Sequence, residues 1–488
     1  MTPDYSEIEE IKAQKVCVLC IDEEYLSKEI SKTGIEAQCN YCEHESNVIS
    51  MEEFSIKVEE AIDTHFVRTP VDPVDYEWVL AKEGKWERHG EPINGVISDY
   101  AEISEEIAED VRKIIDYRTY DYDALKMGEE NPFDEDAHYE ERGPNDFELQ
   151  GKWAAFERSI KNESRFFSRF AQNTLDTIFA NVKDISSASK VQVYIDIGPE
   201  TETKRLYRAR VFQSEDDLKK TMERPDIHLG PPPSRLAVAG RMNPEGIAVF
   251  YGATTAELAI AEVRPPVSSR VVTGEFIIQQ PLKLLDVDAL SELYVRGSIF
   301  DSSYMERLEY AQFFQRLCTR ISRPVLPNDE AQEYLVTQAI SEYLSEMHEP
   351  RLAGIIFESA QMKNNARNIV LFHHAAKVEA IVLPADTELS SSTSSSDEDG
   401  PYPNYSVTEE EPHEDDKKRD GDEDADFRFS GLQYDPLIST DYDGRENSLK
   451  VNLESISVHH VSGVKYESES FSVSRHRWKR FKKGEEPF

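Results

Sequence analysis

Apolar positions recur with two different periods along this 488-residue chain. A spacing near 3.6, which is typical of helices with one buried face, covers residues 51–66, 102–117 and 148–181. Alternating positions or short apolar runs, which are typical of strands, cover residues 205–212, 247–251, 353–357 and 448–466. The pattern therefore predicts an α+β fold, with a helical region first and a mixed region of strands and helices after it.

The third helical stretch carries three phenylalanines close together, Phe166, Phe167 and Phe170. Large aromatic residues that recur on an apolar stripe usually fill a core. We expect these rings to lie in the core rather than on a surface that stacks against nucleic-acid bases.

Residues 240–263 carry the densest local signals, and they read GRMNPEGIAVFYGATTAELAIAEV. A turn is predicted at Asn-Pro-Glu-Gly, then a strand over 247–251, and then a helix that begins at the Thr-x-x-Glu capping box of Thr254 and Glu257. Glu262 lies four residues after Leu258 and shares its apolar face. A carboxylate on an inward face requires either an ion pair or a functional role, and the sequence leaves both open.

Two further segments bring polar groups to strands. Arg208 and Arg210 fall on one face of the 205–212 strand, where their guanidinium groups suit a phosphate or a carboxylate, although such pairs are more often solvated or salt-bridged. Ser359 follows the 353–357 strand, where a loop should begin, and strand ends are common ligand positions.

The order of these segments resembles the RES domain over about residues 206–372. The matching segments are LYRARV, GRMNPEG, VFYGATTAELAIAEV, EYLVTQAISEYL, GIIFESA and NIVLF. The resemblance implies a mixed α/β fold related to ADP-ribosyltransferases and cleavage of NAD at its nicotinamide glycosidic bond. The acceptor would be inorganic phosphate, water or a protein. Many members are toxins paired with an inhibitor or antitoxin protein.

The resemblance also implies the site. Glu262, Arg208, Tyr251 and Ser359 match the family's glutamate, arginine, tyrosine and serine and are the expected catalytic residues, while Arg241 matches the arginine of its G-R-x-N segment. Glu262 would stabilise the positive charge that develops on the ribose. The two arginines would bind the pyrophosphate of NAD, the tyrosine would stack on and orient the substrate, and the serine would hydrogen-bond substrate or phosphate.

The N-terminus carries a second chemical signal. Cys17-x-x-Cys20 and Cys39-x-x-Cys42 are separated by eighteen residues, which is the spacing of a four-cysteine zinc site. Redox chemistry, coincidence and replacement of one thiolate by His44 stay open. A closed four-thiolate site would be structural, because it leaves no position for a reactant.

Charge limits the partners. The formal net charge of −40 argues against nucleic acid or an anionic membrane as the main partner. Acidic residues and serines concentrate over 386–430, where we expect a disordered insert, and a basic tail follows at 471–488. We expect neither a signal peptide nor a membrane span. The paired cysteine motifs and NAD as substrate indicate the cytoplasm.

These signals predict an order of domains. The order is a zinc module at 1–48, a helical domain at 49–190 with acidic linkers, the RES domain at 191–385, the insert at 386–430, closing strands of the RES sheet at 431–470 and the tail at 471–488. The helical region resembles the HEPN-like domain that often precedes RES. We find no convincing copy of the HEPN nuclease motif in it.

Two classes of function remain. The first is an enzyme that cleaves NAD as an NAD phosphorylase or glycohydrolase, acting as a toxin or defence effector, with transfer of ADP-ribose to a protein as its variant. The second is a non-catalytic module that binds a nucleotide or a protein. NAD would be the substrate and zinc a structural ion.

Overall fold

The structure is a computed structural model. It describes residues 5–74, 77–127, 130–323, 325–326, 328–359, 361–362, 366–412, 443–465 and 468–477. Within these residues the first part is mainly helical and the second contains a large mixed sheet, so the prediction of an α+β fold is confirmed. No described helix has the length and apolar character needed to span a bilayer.

The helices are α1 Tyr5–Ala13, α2 Glu24–Thr33, α3 Met51–His65, α4 Trp78–Lys82, α5 Ile93–Ala101, α6 Glu105–Thr119, α7 Tyr122–Lys126, α8 Phe147–Asn162, α9 Arg169–Ala180, α10 Val182–Ser189, α11 Glu215–Glu223, α12 Pro225–His228, α13 Ala256–Glu262, α14 Val287–Ser291, α15 Tyr304–Ser322 and α16 Glu330–Glu346. The strands are β1 Lys15–Cys17, β2 Ile35–Gln38, β3 Glu45–Ser50, β4 Phe66–Arg68, β5 Glu91–Pro92, β6 His138–Glu141, β7 Tyr194–Ile197, β8 Arg205–Phe212, β9 Phe250–Ala253, β10 Arg270–Ile278, β11 Leu282–Asp286, β12 Gly354–Glu358, β13 Arg367–Leu371, β14 Glu388–Asp397, β15 Gly400–Glu410 and β16 Leu449–His460.

The cysteine-bearing strands and the first helices share one core. The sheet β1-β3-β2 places Val16 and Ile49 against the buried faces of α3, α5 and α6, in a cluster that continues to Tyr139. The core has no break at residue 48, where the sequence suggests a domain boundary. A module of fewer than 50 residues buries little apolar surface of its own, so it gains stability by packing on the helices.

Helices α8, α9 and α10 pack with the second part of the chain instead. Trp153 and Phe156 on α8 belong to the same buried cluster as Phe313 on α15 and Phe372 after β13. The Trp153 and Phe313 rings are 6.1 Å apart at their centroids, in an edge-on arrangement. The helical domain expected at 49–190 is therefore divided between two cores.

The large sheet has the strand order β16-β10-β8-β9-β13-β12-β11-β7. All neighbouring strands are antiparallel except β11 and β12, which are parallel. The alternation over 448–466 predicts a late strand, and β16 lies there at the sheet edge, paired with β10. The segments singled out by the sequence meet at the middle of this sheet, on β8, β9, β13 and the end of β12.

The acidic insert differs from the expectation of disorder over 386–430. Residues 388–410 form a hairpin of β14 and β15, and residues 413–430 lie outside the described part of the chain, as does most of the basic tail. The hairpin rests on α11, where Ser391 donates a 2.7 Å hydrogen bond to Glu223 and Thr393 donates a 2.9 Å bond to Glu215. Polar pairing of this kind leaves no apolar signal in the composition.

Two local expectations are wrong. Helix α13 is capped by Thr255, whose hydroxyl accepts from the Leu258 amide at 3.2 Å, because the Thr254 hydroxyl is already bonded to the Arg367 amide of β13. Phe166, Phe167 and Phe170 of the third helical stretch do not lie in the core. Their rings are exposed because α8 ends before them and they occupy or follow the turn into α9: Phe166 is 80% exposed, Phe167 103% and Phe170 49%.

Candidate active site in the large sheet

Three elements of the sheet region meet at one carboxylate. Glu262 is the last residue of α13, Ser359 follows β12, and Asn368 lies on β13. The Ser359 hydroxyl donates to Glu262 Oε1 at 2.5 Å, and the Asn368 side-chain amide donates to the same oxygen at 2.7 Å. Ser359 and Asn368 are almost completely buried, at 8% and 9% exposure, so the carboxylate is held from the protein side.

Within the described part of the chain, Glu262 has these two neutral donors and no ion-pair partner. The structural ion pair, one of the two explanations that the sequence leaves open, is therefore not found among the described residues. The donors orient the group without neutralising its charge, which leaves that charge for a ligand.

Tyr251 is fixed by the loop that precedes its strand. Its hydroxyl donates to Asn243 Oδ1 at 2.8 Å and accepts from the Met242 amide at 3.1 Å. A Cβ at Gly240 would lie 2.6 Å from both Asn243 Oδ1 and the Tyr251 hydroxyl, so a larger residue there would displace these two side chains. Burial raises the pKa of Tyr251 to about 12, which keeps the phenol neutral. The glycine and asparagine of the G-R-x-N segment thus hold the tyrosine.

Arg241 lies in the same loop, beside Glu262. Its Nη2 donates to the Arg323 carbonyl, whereas its Nε is buried without a hydrogen-bond partner. Burial lowers the pKa of Arg241, and the nearby Tyr334, Tyr251 and Glu262 act in the opposite direction. The positive charge of Arg241 therefore lies near both the Tyr251 side chain and the Glu262 carboxylate.

Arg208 is at the centre of β8 and also forms no ion pair with a residue that the structure describes. Its Nη1 is buried without a partner, and its guanidinium carbon lies 5.0 Å from the centroid of the Phe250 ring. Burial, followed by repulsion from Arg210, lowers the pKa of Arg208 well below its usual range. Because a guanidinium stays protonated in proteins, Arg208 holds a positive charge without a carboxylate partner among the described residues.

The predicted residues do not all meet directly. Arg208 lies on the sheet face whose core contains Leu206 and Phe250, whereas α13 packs on the opposite face beside Ala253. Arg208 and Glu262 therefore approach from different faces and share no contact. Tyr251 lies close enough to both Arg208 and Arg241 for each charge to act on its pKa.

Sequence reasoning missed Asn368. The segment NIVLF resembles a strand of the family. Because its other residues are apolar, the pattern predicts a core strand and gives no indication that its first residue, Asn368, belongs to the site. The sequence does contain one signal, which is a polar amide at the start of an apolar strand. In the structure this residue pairs in register with Ala253 of β9. Such an amide needs a partner when it is buried, and here the partner is the Glu262 carboxylate.

A family model described as RES domain matches residues 205–392. The chain contains a RES domain. A second model, HEPN/RES N-terminal domain 1, matches residues 32–174. No curated protein and no solved structure matches the chain.

The RES match includes Arg208, Arg241, Tyr251, Glu262 and Ser359. RES domains generally belong to NAD-utilising enzymes and typically pair with an antitoxin, so this chain carries an NAD-related module of the toxin–antitoxin type. The HEPN match begins at residue 32 and so takes in half of the cysteine cluster, which agrees with the shared N-terminal core.

The four cysteines ahead of the RES domain come together. Cys17 ends β1, Cys20 ends the short 3-10 turn after it, and Cys39 and Cys42 lie between β2 and β3. Their sulfur atoms lie within 4.8 Å of one another, with separations of 3.4, 3.8 and 3.8 Å for three pairs. Four thiolates at about 2.3 Å from a tetrahedral zinc ion would be about 3.8 Å apart. The cluster fits a structural zinc ion.

His44 is not needed as a fourth ligand. Its side chain is exposed and hydrogen-bonds Cys42, which raises the pKa of the imidazole. The four sulfur atoms already form a complete donor set. A zinc ion held by these four thiolates would have no open position for catalysis.

A cavity of about 880 Å³ lies next to the loop that carries Arg241 and is lined by Met242 and Pro244 of that loop. Its walls are α9 and α16, and Met242 and Val249 contribute to its floor. Glu262, Tyr251 and Arg208 do not line it. The cavity is therefore a feature separate from the carboxylate site.

Proposed function

We propose that the RES domain cleaves the nicotinamide–ribose bond of NAD, with Glu262 as the catalytic carboxylate. The observation that carries this proposal is the charge pattern of the site. Among the described residues, the Glu262 carboxylate is held by two neutral donors, and Arg241 beside it has a buried Nε without a partner. Arg208, on the other face of the sheet, has a buried Nη1 without a partner. A substrate that becomes cationic at one end and is anionic in its middle complements this pattern.

Bond cleavage builds positive charge on the ribose, and a fixed carboxylate stabilises that charge more in the transition state than in the ground state. Ser359 and Asn368 hold Oε1 of Glu262, so little reorganisation is needed when the charge develops. In this proposal Ser359 is a positioning residue. Its hydroxyl donates to Glu262 and accepts from the Gln361 amide at 2.9 Å, so we assign it to holding the carboxylate in place.

The pyrophosphate of NAD suits the arginines. An anion beside Arg208 or Arg241 would supply the partners that Nη1 and Nε lack and would offset the burial that lowers both pKa values. Tyr251 is 37% exposed, and its hydroxyl is bonded within the loop. We therefore assign its ring, rather than its hydroxyl, to contact with the substrate.

The test is NAD turnover by the full chain, with and without inorganic phosphate. Glu262→Gln should abolish turnover, and Glu257→Gln is the matched control because Glu257 lies on the exposed first turn of the same helix. Turnover that requires phosphate means phosphorolysis, and turnover without it means hydrolysis. Label transferred from NAD to a polypeptide means ADP-ribosylation. A folded wild-type chain that consumes no NAD would favour a binding module instead.

We also propose that this activity acts in the cytoplasm as a toxin or defence effector, because NAD is consumed there and RES domains typically pair with an antitoxin. Expression of the wild-type chain should lower cellular NAD and stop growth, and expression of the Glu262→Gln chain should do neither. Growth arrest by both chains would separate toxicity from NAD cleavage.

A further inference from the structure

An exposed aromatic side chain lies at the edge of the cavity between α9 and α16. Phe167 lines the rim with its ring fully exposed, and Phe166 next to it is 80% exposed. Phe167 has a φ of 57°, in the left-handed region that bulky residues avoid. A strained backbone that holds an aromatic ring in water gains nothing within one chain, which indicates that this ring is buried by something else.

The two walls of the cavity carry opposite charge. Arg165 and Arg169 lie on the α9 side, and Glu342 lies on the α16 side. None of these three residues forms an ion pair with another residue that the structure describes, whereas Glu346 on the same wall is paired with Arg351 at 2.8 Å. Burial, followed by repulsion from Glu346, raises the pKa of Glu342, as expected for a carboxylate without a cation.

We propose that a second copy of the chain occupies this cavity in a two-fold dimer, with each Phe167 inserted into the cavity of the other copy. A two-fold axis brings the same surface of both copies together. Phe167 of each copy can then enter the cavity of the other copy, so the contact forms twice. The same operation places the arginine wall of each copy opposite the glutamate wall of the other. A patch that carries both signs on opposite walls is the pattern that self-pairing requires.

The oligomeric state of the full chain tests this, by light scattering on a size-exclusion column or by sedimentation equilibrium at micromolar concentration. The wild-type chain should be a dimer. Phe167→Asp should weaken the dimer at least about tenfold, because buried aromatic side chains dominate such interfaces. Phe147→Asp is the matched control, since Phe147 is 78% exposed but does not line the cavity, and it should leave the dimer unchanged.

Charge reversal gives an independent test. A chain with Arg165→Glu and Arg169→Glu should dissociate, and so should a chain with Glu342→Lys, because each then meets like charge. Mixing the two chains should produce a heterodimer, since both halves of that interface are again complementary. A monomeric wild-type chain would overturn the proposal, as would a dimer that Phe167→Asp leaves intact or a mixture that stays monomeric.

Discussion

The two donors to Glu262 give the sharpest test of how the carboxylate works. Asn368→Leu removes the side-chain amide whose nitrogen lies 2.7 Å from Glu262 Oε1. Leucine has a similar size, so the position on β13 stays filled. A hydrogen bond to a charged group contributes about 1.5–3 kcal/mol, which corresponds to about 10- to 150-fold in rate if it acts mainly in the transition state. We expect kcat for NAD cleavage to fall by that factor while KM changes little, because the amide contacts Glu262 rather than the substrate.

Ser359→Ala removes the other donor, which lies 2.5 Å from the same oxygen. Because both donors hold one atom, losing the second should cost less than losing the first. The double variant should therefore be no more than about tenfold slower than the slower single variant, well short of the product of the two effects. Steady-state NAD consumption by the four chains, measured as kcat and KM, completes the cycle.

The matched control is Asn452→Leu. Asn452 donates to Glu275 at 3.0 Å in the same sheet, so this variant loses the same type of bond away from the site and should keep the wild-type kcat. Thermal unfolding of every chain shows whether the fold is intact. The reasoning fails if kcat of both Asn368→Leu and Ser359→Ala stays within about twofold of wild type, or if Asn452→Leu loses as much.

Three further predictions concern stability. Cys39→Ser should remove the zinc, measured by elemental analysis, and destabilise the N-terminal core by several kcal/mol; a zinc-free wild-type chain would contradict this. Burial lowers the pKa of His348, whose Nε2 lies 2.9 Å from the Tyr194 hydroxyl. The free energy of unfolding in urea should therefore be highest above pH about 6.5, the pKa of histidine in the unfolded chain, and should fall as the pH drops below that value. His348→Gln should make the free energy of unfolding depend less on pH, and the same pH dependence in both chains would refute this. Gly240→Ala should lower the unfolding midpoint through the 2.6 Å contacts of its Cβ, whereas Gly95→Ala, with open space on α5, should raise stability by about 0.5–1 kcal/mol; equal midpoints would contradict the steric argument.

Local pattern located most of the strands and helices of the site, because the periodicity of apolar residues depends on neighbours in sequence. The helix expected over 51–66 is α3, Met51–His65, and the strand expected over 205–212 is β8, Arg205–Phe212. The strand expected over 247–251 instead begins at Phe250. The three residues before it are also apolar, and only pairing with β13 distinguishes them from the strand.

The aromatic turn shows why periodicity fails at the end of a helix. Phe166 and Phe167 continue the apolar spacing of α8 in sequence, but α8 ends at Asn162 and the chain turns before α9. Side chains that would share a buried face in one continuous helix then point into solvent. Nothing in the sequence alone separates a long kinked helix from two helices with an exposed turn between them.

The site itself depends on contacts that no local pattern contains. Glu262, Ser359 and Asn368 are separated by up to 106 residues, and their shared hydrogen bonds exist only once β12 and β13 lie beside α13. The spacing of each motif could suggest that a carboxylate on the inner face of α13 has a function. It could not show that an amide from an apolar strand positions it, because burial on that strand is decided by pairing with β9. The same tertiary pairing therefore stabilises the sheet and holds the group that we propose to be catalytic.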